Sequence, residues 1–252
     1  MRYRLVALFT LLGAMVAMPV ASASASSRAA RSHLPPTLEL TTAKGYAFAV
    51  EGLHWLPRSE VAFSVTANGS TVGIQLDSTV KGRFLIGVSN AVLCGGEAFA
   101  ARDYNGNRAM ILTPGGPCPD IVFPAGPALK VLKGKQVQFG VTRITSRPRT
   151  SPVVITIVNA VYMQELGTAA PAYIPSAPDK YFFLIAHGYV PSPTAVCTPV
   201  NCGPSAYWEW IGMRVGKTAI TMNPSCLPKG CTLPSYLIPV TIMPRVSAHR
   251  PA

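Results

Sequence analysis

Six cysteines, at positions 94, 118, 197, 202, 226 and 231, are the side chains of this sequence most suited to chemistry. Four of them form two C-x4-C pairs, Cys197/Cys202 and Cys226/Cys231, each enclosing a proline. Four thiolates would suit zinc, but structural zinc knuckles use tighter spacing. A redox pair is more typically C-x-x-C ahead of a helix, whereas a strand pattern follows here. An even number of cysteines in an exported chain is oxidised by default. The pairing predicted is Cys94–Cys118, Cys197–Cys202 and Cys226–Cys231, with cross-bridging of the last two loops as the alternative. Such bridges would hold loops in shape and stabilise modestly by restricting the unfolded chain.

Trp208 and Trp210 alternate in YWEWI. A strand there puts both rings on one face and Tyr207, Glu209 and Ile211 on the other. Exposed, the two rings would form a platform for sugar rings. Buried, they are core, and Glu209 on the opposite face favours the core reading. Trp55 in GLHWLP reads as core near a strand end.

Other chemistry is sparse. His33, His54, His187 and His249 have no carboxylate or cysteine at ligand spacing, and lone histidines of this kind are usually structural or exposed. No Gly-x-Ser-x-Gly elbow, His-Glu-x-x-His or phosphate-cradling loop occurs. Asp103-Tyr104-Asn105-Gly106-Asn107 has the opening of a calcium loop but lacks its later bidentate carboxylate; a hairpin turn accounts for it better. No cofactor, metal or catalytic residue is assigned, and the reading is of a protein that is not an enzyme.

The leader sets the compartment. Arg2 and Arg4 precede an uncharged apolar run from Leu5 to Val20, and Ala21-Ser22-Ala23 supplies small residues for cleavage. This predicts a signal peptide over residues 1–24 and an extracellular, secreted mature chain of about 225 residues. The alternative is tethering by an uncleaved segment, though the run is short for about 30 Å of hydrocarbon. No later segment reads as a membrane span. The formal charge of +12 falls to +10 without Arg2 and Arg4. A basic exported protein suits an extracellular protein or an anionic cell-envelope polymer as partner. Scattered basic residues and the lack of a recognition motif argue against nucleic acid. The one basic cluster, Arg143 to Arg149, reads as a solvated loop.

The elements that must position these residues read as strands. Charged residues are only 13%, with 24 Pro and 21 Gly, a composition for many short strands and turns. VAFSVTANGSTVGIQL is a hairpin: Val61, Phe63 and Val65 alternate, Asn68-Gly69 turns, and Val72, Ile74 and Leu76 return. Asn68-Gly69-Ser70 is also a glycosylation sequon, which the turn explains by itself. Phe84, Ile86 and Val88 mark another strand, and Asn105-Gly106 a second hairpin. After the Pro/Gly-rich run 114 to 128, strand patterns resume at Val137, Phe139 and Val141, and continue through PVVITIV, YFFLIA, YWEWIGM, GKTAITMN and SYLIPVTIM. Pro239 cannot donate to a ladder, which predicts an edge or a bulge there. No amphipathic helix is predicted.

GLHWLPRSEVAFSVTANG, KGRFLIGV and CGGEAFAARDYNGN resemble the secreted bacterial Ig-like modules. GKTAITM, the cysteine loop and the final Val/Ile strand resemble a second Ig-type module, and also the chagasin-type cysteine-protease inhibitors. The inhibitors' NPTTG-like and RPW-like loops are not found in this sequence; Asn223-Pro224-Ser225 runs into Cys226 instead. The resemblance implies an all-β fold of two tandem Ig-like β-sandwich domains after the N-terminal signal peptide. The divisions are 25–36 a disordered linker, 37–122 the first domain, 127–245 the second and 246–252 a disordered tail. It implies a non-catalytic binding or surface-interaction protein. The alternatives are a chagasin-like inhibitor acting through the loop at 191 to 206, and a glycan-binding module using Trp208 and Trp210.

Overall fold

The computed structural model describes residues 34–67, 70–89, 96–114, 127–165, 173–190, 205–225 and 233–245. All lie in one compact unit, Leu34–Ala252. They form strands and no helix, so none long and apolar enough to cross a membrane occurs among them.

The first strands are β1 (Thr37–Thr41), β2 (Phe48–Leu53), β3 (Glu60–Ala67), β4 (Ser70–Asp77), β5 (Phe84–Ser89), β6 (Ala98–Asp103), β7 (Arg108–Leu112), β8 (Ala128–Lys133) and β9 (Lys135–Gln136). There follow β10 (Val141–Thr145), β11 (Val153–Thr156), β12 (Ala160–Glu165), β13 (Tyr173–Ser176), β14 (Phe182–Val190), β15 (Ser205–Gly212), β16 (Gly216–Pro224) and β17 (Tyr236–Met243). They build three sheets. A nine-stranded sheet runs β10-β12-β15-β14-β4-β3-β6-β7, with β9 attached to β4. The two four-stranded sheets are β1-β2-β5-β8 and β11-β17-β16-β13.

Each small sheet packs on one half of the large one. Phe63, Val65, Leu76 and Phe99 of the large sheet meet Phe48, Val50, Phe84 and Ile86 of the first small sheet. At the other half, Val161, Met163, Trp208 and Trp210 meet Ile155, Ile220, Ile238 and Val240. Alternation along each strand sends one set of side chains to these cores. A third cluster, Ala62, Ala160, Ile185, Ile211 and Met213, joins the halves.

The predicted hairpins form. β3 pairs β4 from Glu60↔Asp77 to Ala67↔Ser70, which leaves a two-residue connection at 68–69, outside the described residues. In the second hairpin Gly106 has φ +89°. The Asp103 carboxylate accepts from the backbone N–H of Asn105 and Asn107 (both 2.9 Å) and from Asn107 Nδ2 (2.8 Å). Three of its hydrogen bonds serve the turn, in keeping with the turn reading, and Ser59 Oγ donates a longer fourth (3.4 Å).

Three expectations meet a different arrangement. Val137 and Phe139 belong to no strand; the chain makes a last hydrogen bond to β4 from Val137 N–H to the Gln75 carbonyl (2.9 Å) and re-enters a sheet at Val141. The Pro/Gly-rich run lies mainly at 115–126, outside the described residues, and the strands after it, β8 and β9, pair with β5 and β4. The last strand is not an edge: β17 lies between β11 and β16. β11 begins beside Val240, so Pro239 stands just where that side of β17 has no described neighbour. The missing N–H therefore costs no rung on that side.

Candidate binding face

Trp208 and Trp210 do share a face, as the alternation predicts, and that face is the core. Their rings are 6% and 5% exposed, so they offer no outer platform. Trp208 packs beside the His187 ring, with centroids 5.4 Å apart. His54 occupies a turn at φ 61°. Cys94, Cys118, Cys197, Cys202, Cys226 and Cys231 all lie outside the described residues, as do His33 and His249. No group of three or more His, Cys, Asp or Glu side chains able to hold a metal occurs among the described residues.

The opposite face of the same strands is partly open and carries its own row of side chains. Register sets the row. Arg143 of β10 lies beside Tyr162 of β12, and Tyr162 opposite Glu209 of β15. Tyr207, two residues before Glu209, is opposite Gly188 of β14. The Arg143 guanidinium sits 4.7 Å from the Tyr162 ring centroid. The Tyr162 and Tyr207 rings are 5.9 Å apart and inclined by only 17°. Gly188 keeps the row flat, because a Cβ there would come 3.3 Å from the Tyr207 ring. Each link is worth about 0.5–1.5 kcal/mol, so the row stabilises the sheet. It also leaves a cation and two ring edges on an open surface.

Electrostatics on this face follow from partial burial. Burial pushes the Glu209 carboxyl above its ordinary range, and Arg143 offsets part of that. Burial, then the proximity of Tyr162 and Glu209, raises the Tyr207 hydroxyl.

β10 leads from this face into the arginine turn. Arg147, Pro148 and Arg149 line an open groove of about 670 Å³ with Thr145 and the exposed Leu237. The turn is fastened at both ends. Tyr236 Oη donates to the Ser146 carbonyl (2.6 Å), and Arg149 Nε donates to the Ser151 carbonyl (2.9 Å). Arg143 thus stands beside Tyr162, while Arg147 and Arg149 stand beside Leu237 of β17, on the turn that carries the chain from the large sheet to the small one. The row was available to alternation: Val161 and Met163 point inward in AVYMQE, which sends Tyr162 outward with Tyr207. That Arg143 joins them depends on the parallel pairing of β10 with β12, which has no local signal.

No protein-family model matches the chain, and no curated protein sequence matches it. Among the solved structures that resemble the chain are two low-scoring likenesses. A cysteine protease inhibitor from Entamoeba histolytica is 16% identical, with a TM-score of 0.33 over 42% of this chain and 98% of the other. Amebosin in solution is 10% identical, with a TM-score of 0.29 and the same coverage of each. At these scores neither likeness carries an argument about fold or function.

Proposed function

We propose that this is an exported, non-catalytic binding protein, built as tandem Ig-like modules, that engages an anionic polymer or protein of the cell envelope. The observation that carries this reading is the Arg143–Tyr162–Tyr207 row on a partly open sheet face. Flat ring edges pack against apolar ring surfaces while guanidinium groups meet anionic oxygens. The charge of +10 that remains without Arg2 and Arg4 supplies long-range attraction to such a partner. The leader over residues 1–24 would deliver the chain to that compartment, and Cys94–Cys118, Cys197–Cys202 and Cys226–Cys231 would staple its loops there.

The test is binding of purified protein to dextran sulfate and to uncharged dextran across a salt series. The expected result is saturable binding to the charged polymer that weakens steeply with salt, and is largely lost in the Arg143→Ala/Tyr162→Ala double variant. Equal binding by that variant would remove the face from the account. Stoichiometric inhibition of papain by the wild-type chain would favour the inhibitor reading instead. Non-reducing peptide mapping tests the staples: free thiols, or a peptide joining 197 or 202 to 226 or 231, would overturn the local pairing.

A further inference from the structure

A second surface lies at the far end of the nine-stranded sheet, where β7 is the terminal strand. The hairpin ladder fixes which backbone groups of β7 are unused. Asp103 N–H donates to the Asn107 carbonyl (3.0 Å), and Thr113 N–H to the Glu97 carbonyl (3.0 Å). In an antiparallel pair such rungs alternate, so Ala109 and Ile111 turn their backbone toward β6. Arg108, Met110 and Leu112 turn theirs outward, to an edge that no described strand pairs with, although β1 of the neighbouring sheet comes close to it. Folded chains normally blunt such an edge with Lys, Pro or a bulge. β7 has none of these and carries one charge, Arg108 at its first position; its register with β6 is regular, and Met110 and Leu112 are 64% and 62% exposed.

Beside this edge runs a groove of about 620 Å³. Ala98 and Ala100 floor it, Met110 lines one side and Phe183 and Leu184 the other. Its far end carries two arginines and one carboxylate, Arg102, Arg108 and Asp179, a net positive charge. Arg102 and Arg108 stand directly opposite each other on β6 and β7, a like-charge pair that opposes sheet formation unless compensated. Arg102 spends its donors on the carbonyls of Asp179, Lys180 and Phe182. Arg108 has no ion pair among the described residues. Arg214 adds to the positive field at Arg102, against Asp179.

We propose that β7 accepts an extended, acidic peptide of a partner protein as an added strand, its apolar side chains entering the groove and a carboxylate meeting Arg108. Main-chain rungs to Met110 and Leu112 supply the affinity of this mode and side-chain pockets its selectivity. Charge decides between occupants: a second copy of this basic chain would bring like charge to like, whereas an acidic strand compensates the Arg102–Arg108 pair.

The experiment measures fluorescence anisotropy of a labelled octapeptide alternating Val and Glu, added to the full chain. Saturable binding is expected, with no binding of the alternating Val/Lys peptide. N-methylation of alternate residues of the Val/Glu peptide should abolish binding, because it removes the rungs and leaves the charge. On the protein side, Met110→Pro removes an outward N–H while sparing the ladder to β6, and should abolish binding with unchanged circular dichroism. Arg108→Glu should weaken binding about tenfold. The proposal fails if the Val/Glu peptide does not bind up to about 1 mM, or if the N-methylated peptide binds equally well. It also fails if sedimentation shows a dimer that Met110→Pro dissolves, since the edge would then belong to a second copy.

Discussion

Ile185 is seated on Gly73. The β14 ladder shifts register between Leu184 and Ala186, which pushes Ile185 out of the regular pattern and into the seam between the two halves, where it is 1% exposed. A Cβ on Gly73 would lie 2.5 Å from Ile185 Cγ1, 2.5 Å from the Phe63 carbonyl oxygen and 2.7 Å from the Ile185 carbonyl oxygen. Gly73→Ala should therefore cost about 1–3 kcal/mol, by overpacking against backbone that cannot rotate away. Adding Ile185→Ala should not rescue it, because both carbonyls remain. Urea denaturation of the single and double variants checks this, and full rescue would show the side chain alone to be the obstacle.

Trp208→Ala should cost about 3–5 kcal/mol, as large-to-small changes in a packed core do. Its wild-type fluorescence should be blue-shifted and poorly quenched by acrylamide, together with that of Trp210. Strong quenching of all the tryptophan emission would contradict the burial of these rings.

Glu209 predicts a pH dependence. Burial raises its folded pKa above the ordinary 4.5, so the unfolded chain ionises first as pH rises. The stability it contributes is complete below pH 4.5 and is lost as pH climbs through the folded value. Glu209→Gln should leave stability nearly unchanged at pH 4 and raise it relative to wild type near pH 7. Thermal melts across this range decide the matter, and a Gln variant less stable at pH 7 than at pH 4 relative to wild type would reverse the sign.

Arg102 ties β6 to the turn that opens β14, through the carbonyls of Asp179, Lys180 and Phe182. Arg102→Met keeps the stem and removes the donors. It should destabilise by about 1–3 kcal/mol, as losing charged hydrogen bonds to partly buried acceptors does. A melt within half a degree of wild type would show those carbonyls to be served by water.

What the sequence revealed was local. The β3–β4 hairpin and the Asp103 turn rest on residues a few positions apart, and on the positive-φ preference of Asn-Gly pairs. The inward set Ile238, Val240 and Ile242 also follows from simple alternation. The parallel pairs β10–β12 and β11–β17, and the meeting of β4 with β14, join segments distant along the chain: Val141 with Ala160, Val153 with Val240, Thr71 with His187. Nothing in a short window encodes such pairing, so the place of Pro239 and the approach of Arg143 to Tyr162 stayed hidden. The Trp pair shows the middle case. Alternation assigned both rings to one face, but only the arrival of β16 and β17 determined that this face is covered.

The central sheet is continuous in strand order but not in strength. β3 and β4 share eight residue pairs, and β14 and β15 another eight. β4 and β14 meet through one, His187 opposite Thr71. At that line the backbone supplies a single described rung, and the cluster around Ile185 and the Arg102 hydrogen bonds to the turn before β14 supply the rest of the hold. The seam is thus joined by side chains more than by backbone. Parting there would have to unseat Ile185 from Gly73, while the two sheet-on-sheet cores lie intact to either side.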